Sequence, residues 1–244
     1  VEQPRDLGQV QGDEIRVKMQ GCIVWLAMAM QVPTRLWLGG VLSQQRDKHL
    51  MRALMQRVRN GALCRPLLIC VDGCPAYIDA IRKAFRESLP NGKVGRPRLR
   101  AWDGIFITQV LKQYAGKRMV GVTRRIVQGT QVQIERLLHQ TQGGGSINTA
   151  YIERLNATFR SRLAPLVRRG RALARQMPTL HHGMYLVGTV YNFCTYHDSL
   201  RLPLYLSPSR RRWLRRTPAI AAGITDHLWS VEELLSFHVP PPPW

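Results

Sequence analysis

The chain has 244 residues, room for one large domain or a domain with appendages, and its 45% hydrophobic content is that of a protein with a packed core. Lys and Arg number 36 against 15 Asp and Glu, a formal net charge of +21, far beyond what solubility asks for. An excess of this size, mostly arginine, points to a polyanionic partner, nucleic acid first, with a merely basic solvated surface as the alternative. Five cysteines, an odd number with no CxxC pair, argue against a disulfide scaffold and a cysteine-rich zinc site. Cys194 and His197 in "FCTYHD" lack further ligands and read as packing residues. The longest apolar run, 22–30, is too short for a membrane span and no secretory leader opens the chain, so the expectation is a soluble, cytoplasmic protein.

In chain order, "DEIRVKMQ" (13–20) alternates as a strand, with Asp13, Ile15, Val17 and Met19 on the inward face and Glu14, Arg16, Lys18 and Gln20 on the other. "CIVWLAMAMQV" and "RLWLGGVL" are two further strand-length runs on short turns, which makes an antiparallel meander of three. Residues 46–62 carry Leu50, Leu54 and Val58 at helical spacing and stop at Asn60 and Gly61. "PLLICVDG" (66–73) is continuous enough to be a strand buried on both faces, closed by Asp72 and followed by the helical "AYIDAIRKAFRE".

Residues 10–87 therefore form the first part of a core, and 88–147 read as an inserted basic linker, hairpin and short helix. The hairpin turns near Ala115 and Gly116, the helix is "QVQIERLLHQT", and "QGGGS" is a flexible break. "GRPR" (95–98) resembles an AT-hook core, although the match is short and a basic linker explains it better. Residues 148–201 return to the core with a helix from 149 to about 163, bending at Pro165, and a second over 179–201. Residues 202–244 are a basic, proline-rich tail.

Residues 88–175 hold 17 Lys and Arg against three acids, Asp103, Glu135 and Glu153, a local charge of +14 that suits phosphate binding. Glu153 is the single acid of the arginine-rich stretch 148–176, with Asn156, Ala157, Arg160 and Ala164 on or near its helical face. An ion pair with Arg154 or Arg160 has poor geometry, because adjacent residues do not face each other and seven residues is a long reach. Asp72, at the carboxyl end of a buried strand, is open to two readings, a functional carboxylate or the cap of the next helix. If Asp13, Asp72 and Glu153 converge, their repulsion demands a cation between them, and magnesium suits such oxygen ligands. Two ions about 3.5–4 Å apart would serve phosphodiester displacement, with the arginines holding the DNA backbone.

"GDEIRVKMQGCIVWLAMAM", "LLICVDGCPAYIDAI" and "NTAYIERLNATFRSRL", in this order, resemble the three acidic blocks of insertion-sequence transposases of the DDE superfamily. "YIERLNATFR" followed by "YNFCTYHDSLR" is the most specific part, and the resemblance covers roughly residues 10–201. It implies an α/β, ribonuclease H-like mixed sheet, an antiparallel three-strand meander plus parallel strands, flanked by helices and carrying an inserted hairpin lobe. It implies Asp13, Asp72 and Glu153 as catalytic, metal-binding residues for Mg2+, with Mn2+ as substitute, and DNA cleavage and strand transfer as the activity. Asn156 and Arg160 would orient Glu153 or contact DNA, and Arg154, Arg162, Arg168 and Arg169 would join the DNA surface. The separation of the second and third acids, 81 residues, is longer than in the integrase subgroup, and Glu135 is the rival third acid. The resemblance further implies transposon ends and target DNA as partners, a homodimer or higher oligomer on DNA, a nucleoid location and an N-terminal DNA-binding domain. No such domain can fold before Val10, the pattern of a truncated copy. The readings from other classes are a non-catalytic basic nucleic-acid-binding protein and a ribonuclease H-like nuclease without strand joining.

Overall fold

The alternation expected over 13–20 belongs to a longer strand, β1 (Gln9–Met19), which pairs antiparallel with β2 (Cys22–Gln31). Gly21 supplies the positive φ of 77° that their tight turn requires. β2 pairs antiparallel with β3 (Trp37–Ser43), so the expected meander forms. The computed structural model describes residues 3–89, 97–142, 144–167, 170–204 and 213–238.

α1 (Lys48–Asn60) starts where the Asp47 carboxylate accepts from the backbone of His49 and Leu50, and it returns the chain to β4 (Leu67–Asp72), parallel to β1. After α2 (Pro75–Ala84) comes a two-stranded ribbon of β5 (Arg86–Leu89) and β6 (Arg98–Ala101). β7 (Ile105–Ala115) then runs parallel to β4, and β8 (Arg118–Gln128) folds back antiparallel on β7. The six-stranded sheet has the order β3-β2-β1-β4-β7-β8, a mixed, ribonuclease H-like arrangement flanked by helices.

The hairpin turns where expected but does not stand apart as an inserted lobe. Ile105, Ile107 and Val110 of its first strand are buried, and its outer half, from Lys112 onward, extends beyond the core as a largely exposed ribbon. α3 (Gln131–Gln142) likewise belongs to the core, packing Ile134, Leu137 and Leu138 against Leu68 and Cys70.

α1 and α2 cover one face of the sheet, with Leu54, Met55, Tyr77 and Ile81 against Val10, Ala29 and Val71. α4 (Ala150–Arg162) and α5 (Met177–Cys194) cover the other, with Ile152, Leu155, Phe159 and Met184 against Ile15, Val17, Val24 and Leu26. Pro165 ends α4 rather than bending it, since it sits in a separate 3-10 turn, Ala164–Leu166. α5 stops at Cys194, short of the expected 201, because Thr195 is already extended (φ −119°, ψ 118°). His197 therefore lies outside the helix that carries Cys194. Beyond it lie the short strands β9 (Leu202–Pro203) and β10 (Trp213–Leu214), then α6 (Pro218–Ala221) and α7 (Val231–Ser236). Among the described residues no helix is long and apolar enough to cross a membrane.

Gly188 of α5 packs tightly on Trp37 of β3, whose ring lies 5.6 Å from that of Phe159 and 5.5 Å from that of Tyr185. A Cβ at position 188 would sit 2.2 Å from the indole. Helix propensity alone favours alanine over glycine by about 1 kcal/mol, but overpacking against a ring that cannot retreat costs about 1–3 kcal/mol. Gly188→Ala is therefore expected to lower the urea midpoint, while an unchanged or raised midpoint would show that Trp37 yields.

Candidate active site

β1 and β4 are paired for only three residues, from Gln9–Leu68 to Gln11–Cys70, and then part. Asp13 and Asp72 each lie two residues beyond the last pair, so the period-two pleat puts both on the same face at the mouth of the gap. One carboxylate oxygen from each of Asp13, Glu14 and Asp72 lies within 4.8 Å of the other two. Asp13 and Asp72 border a cavity of about 770 Å3 whose lining also includes Lys112, Glu153, Asn156 and Arg160.

α4 is set against this gap by Gln11, a fully buried strand residue. Its Nε2 donates to the Asn148 carbonyl (2.7 Å), and its Oε1 accepts from the backbone N–H groups of Tyr151 (3.1 Å) and Ile152 (3.0 Å). Those N–H groups belong to the first helical turn, which has no internal acceptors. The bond fixes the helix start two residues from Asp13, and one turn further along Asn156 Nδ2 donates to Asp13 Oδ2 at 2.7 Å. Asn156, expected to orient Glu153 or to touch DNA, is thus bonded to Asp13.

The acids differ in how their charge is met. Asp13 is pushed up to about 7, first by burial, then by Glu14, with Asp72 and Glu153 adding to the repulsion. No basic side chain pairs with it among the described residues. Glu14 is raised too, chiefly by burial and Asp72, although the Tyr77 hydroxyl donates to it at 2.7 Å and Arg46 forms an ion pair with it. Arg46 also reaches Asp72 Oδ2 at 3.2 Å. The other oxygen of Asp72 accepts from the Cys74 backbone at 2.9 Å, which shapes the turn before α2 without capping it, since the N-cap of α2 is Cys74. Buried Gln109 steadies the loop by donating to the Asp72 carbonyl at 3.0 Å.

Glu153 stands at the rim of the cavity, outside the cluster of three. Lys112 of β7 donates to it at 2.6 Å and Thr149 at 2.8 Å. Burial raises its carboxyl, but these two bonds outweigh burial and hold it below the usual carboxylate range. Its partner is thus neither Arg154 nor Arg160 but a lysine on another element. Arg160 lines the same cavity, whereas Arg154 and Arg162 line a separate one on the other flank of α4. Arg168 and Arg169, and part of "GRPR", lie outside the described residues. Glu135 is on α3, bonded by Gln131 and beside a different cavity, which removes it as a rival third acid.

Glu14 is the member of the cluster that the alternation pattern assigned to the outer face. Both faces of this part of β1 are covered by helices, so the pattern could not distinguish them, and the Glu14 side chain is only 2% exposed. Sequence reasoning also passed over Arg46, Tyr77 and Lys112, whose roles depend on contacts between distant elements.

The donor set fits a hard divalent cation. It offers carboxylate oxygens, one of them desolvated and unpaired with any base among the described residues, and the buried Oδ1 of nearby Asn156 has no hydrogen-bond partner among them either. Asp13 and Asp72 are the residues that would hold such an ion, with Glu14 or Glu153 as the third carboxylate.

The sequence matches no protein-family model and no curated protein. One solved structure that it resembles is a chain of the simian T-cell lymphotropic virus intasome in complex with PP2A regulatory subunit B56 gamma. The identity is 12% and the TM-score 0.47, over 100% of this chain and 59% of that one, a likeness too slight to assign anything.

A carboxyl raised in the folded state stabilises least when ionised, so the cost of Asp13 is present above about pH 7 and fades as pH falls below it. Asp13→Asn keeps an acceptor for Asn156 and removes the repulsion. In metal-free buffer at pH 8 its Tm is expected to exceed that of the native chain by about 5 °C, with the gap closing toward pH 5. Equal melting temperatures at pH 8 would show that Asp13 is neutralised in another way.

Proposed function

We propose that this chain is the catalytic domain of a DDE-type transposase, which cleaves DNA and joins the freed 3′ end of an insertion sequence to a target. The observation that carries the reading is the meeting of Asp13 and Asp72 where β1 parts from β4, with Glu153 on the rim of the same cavity. Bound Mg2+ or Mn2+ would stabilise charge on phosphoryl oxygens and lower the pKa of an attacking water or hydroxyl.

The chain's own side chains do the rest. Asn156 holds the Asp13 carboxylate in one orientation, and Tyr77 and Arg46 keep Glu14 from adding a further free charge. Lys112 and Arg160 border the cavity and suit the oxygens of a DNA backbone, a sequence-independent contact. In the reaction the attacking oxygen, from water or a 3′-hydroxyl, bonds to phosphorus as the opposite phosphorus–oxygen bond breaks. Holding two element ends and a target at once calls for a homodimer or a larger assembly on DNA.

The 2.6 Å bond between Lys112 and Glu153 favours a second reading, in which Glu153 is only a tie between β7 and α4 in a non-catalytic DNA-binding protein. The readings part on a pre-cleaved, end-labelled duplex with Mg2+. Glu153→Gln and Asp72→Asn are each expected to lower cleavage and joining by about 100-fold or more, with DNA affinity nearly kept. Undiminished activity in Glu153→Gln would remove that residue from the chemistry. Cutting without joining by the native chain would make it a nuclease.

A further inference from the structure

The arginines of α4 divide between its two flanks. Arg160 lines the acidic cavity, while Arg154 and Arg162 border a second one, about 330 Å3, between α4, the end of α5 and the β2–β3 turn. Arg35 of that turn lines it too, and no carboxylate pairs with Arg35 among the described residues. Burial disfavours the charge of this guanidinium and Arg154 opposes it further. The Arg35 guanidinium stacks on Tyr151 at 3.9 Å from the ring centre, and its Nε reaches Ser199 Oγ at 3.4 Å.

Arg35 is also the one non-glycine residue with positive φ among those described, at 59°. A long side chain in that region is a strain that the surrounding structure must hold, and such strain gathers at ligand sites. The Tyr191 hydroxyl helps to hold it, donating to the Arg35 carbonyl at 3.1 Å. His197 is kept toward its neutral form by burial and by Arg35 and Arg154, against a small opposing effect of exposed Asp198, the one acid in the lining. Three guanidinium groups thus face a concave site with one carboxylate among them, and a planar fork beside an aromatic wall is the geometry that grips a phosphate.

We infer that this cavity is a second phosphate-binding subsite, which holds the backbone of a DNA strand on the flank of α4 opposite the acidic cluster. The polymer is named on the strength of the proposed DNA-processing function, whereas the anion site stands on the residues themselves. An α-helix with its side chains is about 10–12 Å across, a distance that one DNA strand covers within a few nucleotides. A strand lying over α4 can therefore engage both flanks.

The test uses the full chain, Arg154→Gln/Arg162→Gln and, separately, Arg35→Gln, with two probes: inorganic phosphate at fixed ionic strength, read by Tm, and a labelled duplex, read by affinity across a salt series. The expected result is that phosphate raises the Tm of the native chain and of neither variant. The double variant should also bind duplex about tenfold more weakly with a salt slope shallower by about one to two. Loss of the phosphate response with unchanged duplex affinity overturns the assignment and makes the cavity a site for a free anion. Unchanged responses to both probes overturn the subsite altogether. A native chain that never cleaves DNA, yet loses duplex affinity and salt slope in the double variant, supports the subsite while the catalytic proposal falls.

Discussion

The arrangement depends on one buried amide. Gln11 sits in the middle of the sheet, where a polar side chain must satisfy both ends of its amide or cost about 1–3 kcal/mol, and it does so against the start of α4. An apolar residue there would let the helix slide along its groove by small steps. The amide permits one register, because its acceptor needs the first-turn N–H groups and its donor needs the Asn148 carbonyl at the same time. Gln9, two residues earlier and equally buried, does the same for the end of α3 through Thr141 (2.7 Å) and Gln142 (2.8 Å). β1 is thus a ruler along which two helices are set, and the acids inherit their spacing from it.

The charges are arranged around that ruler with unequal compensation. Glu14 has an arginine and a tyrosine, Asp72 an arginine and a backbone N–H, and Glu153 a lysine and a threonine. Asp13 has the Asn156 amide and the Glu14 backbone, and no basic side chain among the described residues. Buried charges are normally paired by their own fold, so a carboxylate left to neutral donors marks a candidate functional position.

Much of this was legible. The meander, α1 and β4 announce themselves by apolar period and punctuation, and Asp72 by closing a run too continuous to be anything but a central strand. The hairpin was found with its turn, but its place in the sheet was not, because the choice of strand partner is made between distant segments. Gln11 carried no signal, since a glutamine before an alternating run reads as an edge residue. Glu14 reads as outward-facing because alternation reports burial only where one face is wet. Lys112 lies 41 residues from Glu153, so no local spacing could pair them. The arginines of α4 read as one polyanion-gripping rod, whereas a helix places adjacent residues about 100° apart and so parts Arg154 from Glu153.

The uneven treatment of Asp13 bears on how such a chain changes over generations. Most residues of a core are kept by folding itself, which removes variants that unfold. At position 13 folding pulls the other way, toward any neutral side chain of similar size. On the proposed function, an aspartate there is kept for the chemistry rather than for the fold. In a lineage where that demand lapsed, drift would erase this residue early and leave behind a chain that folds at least as well.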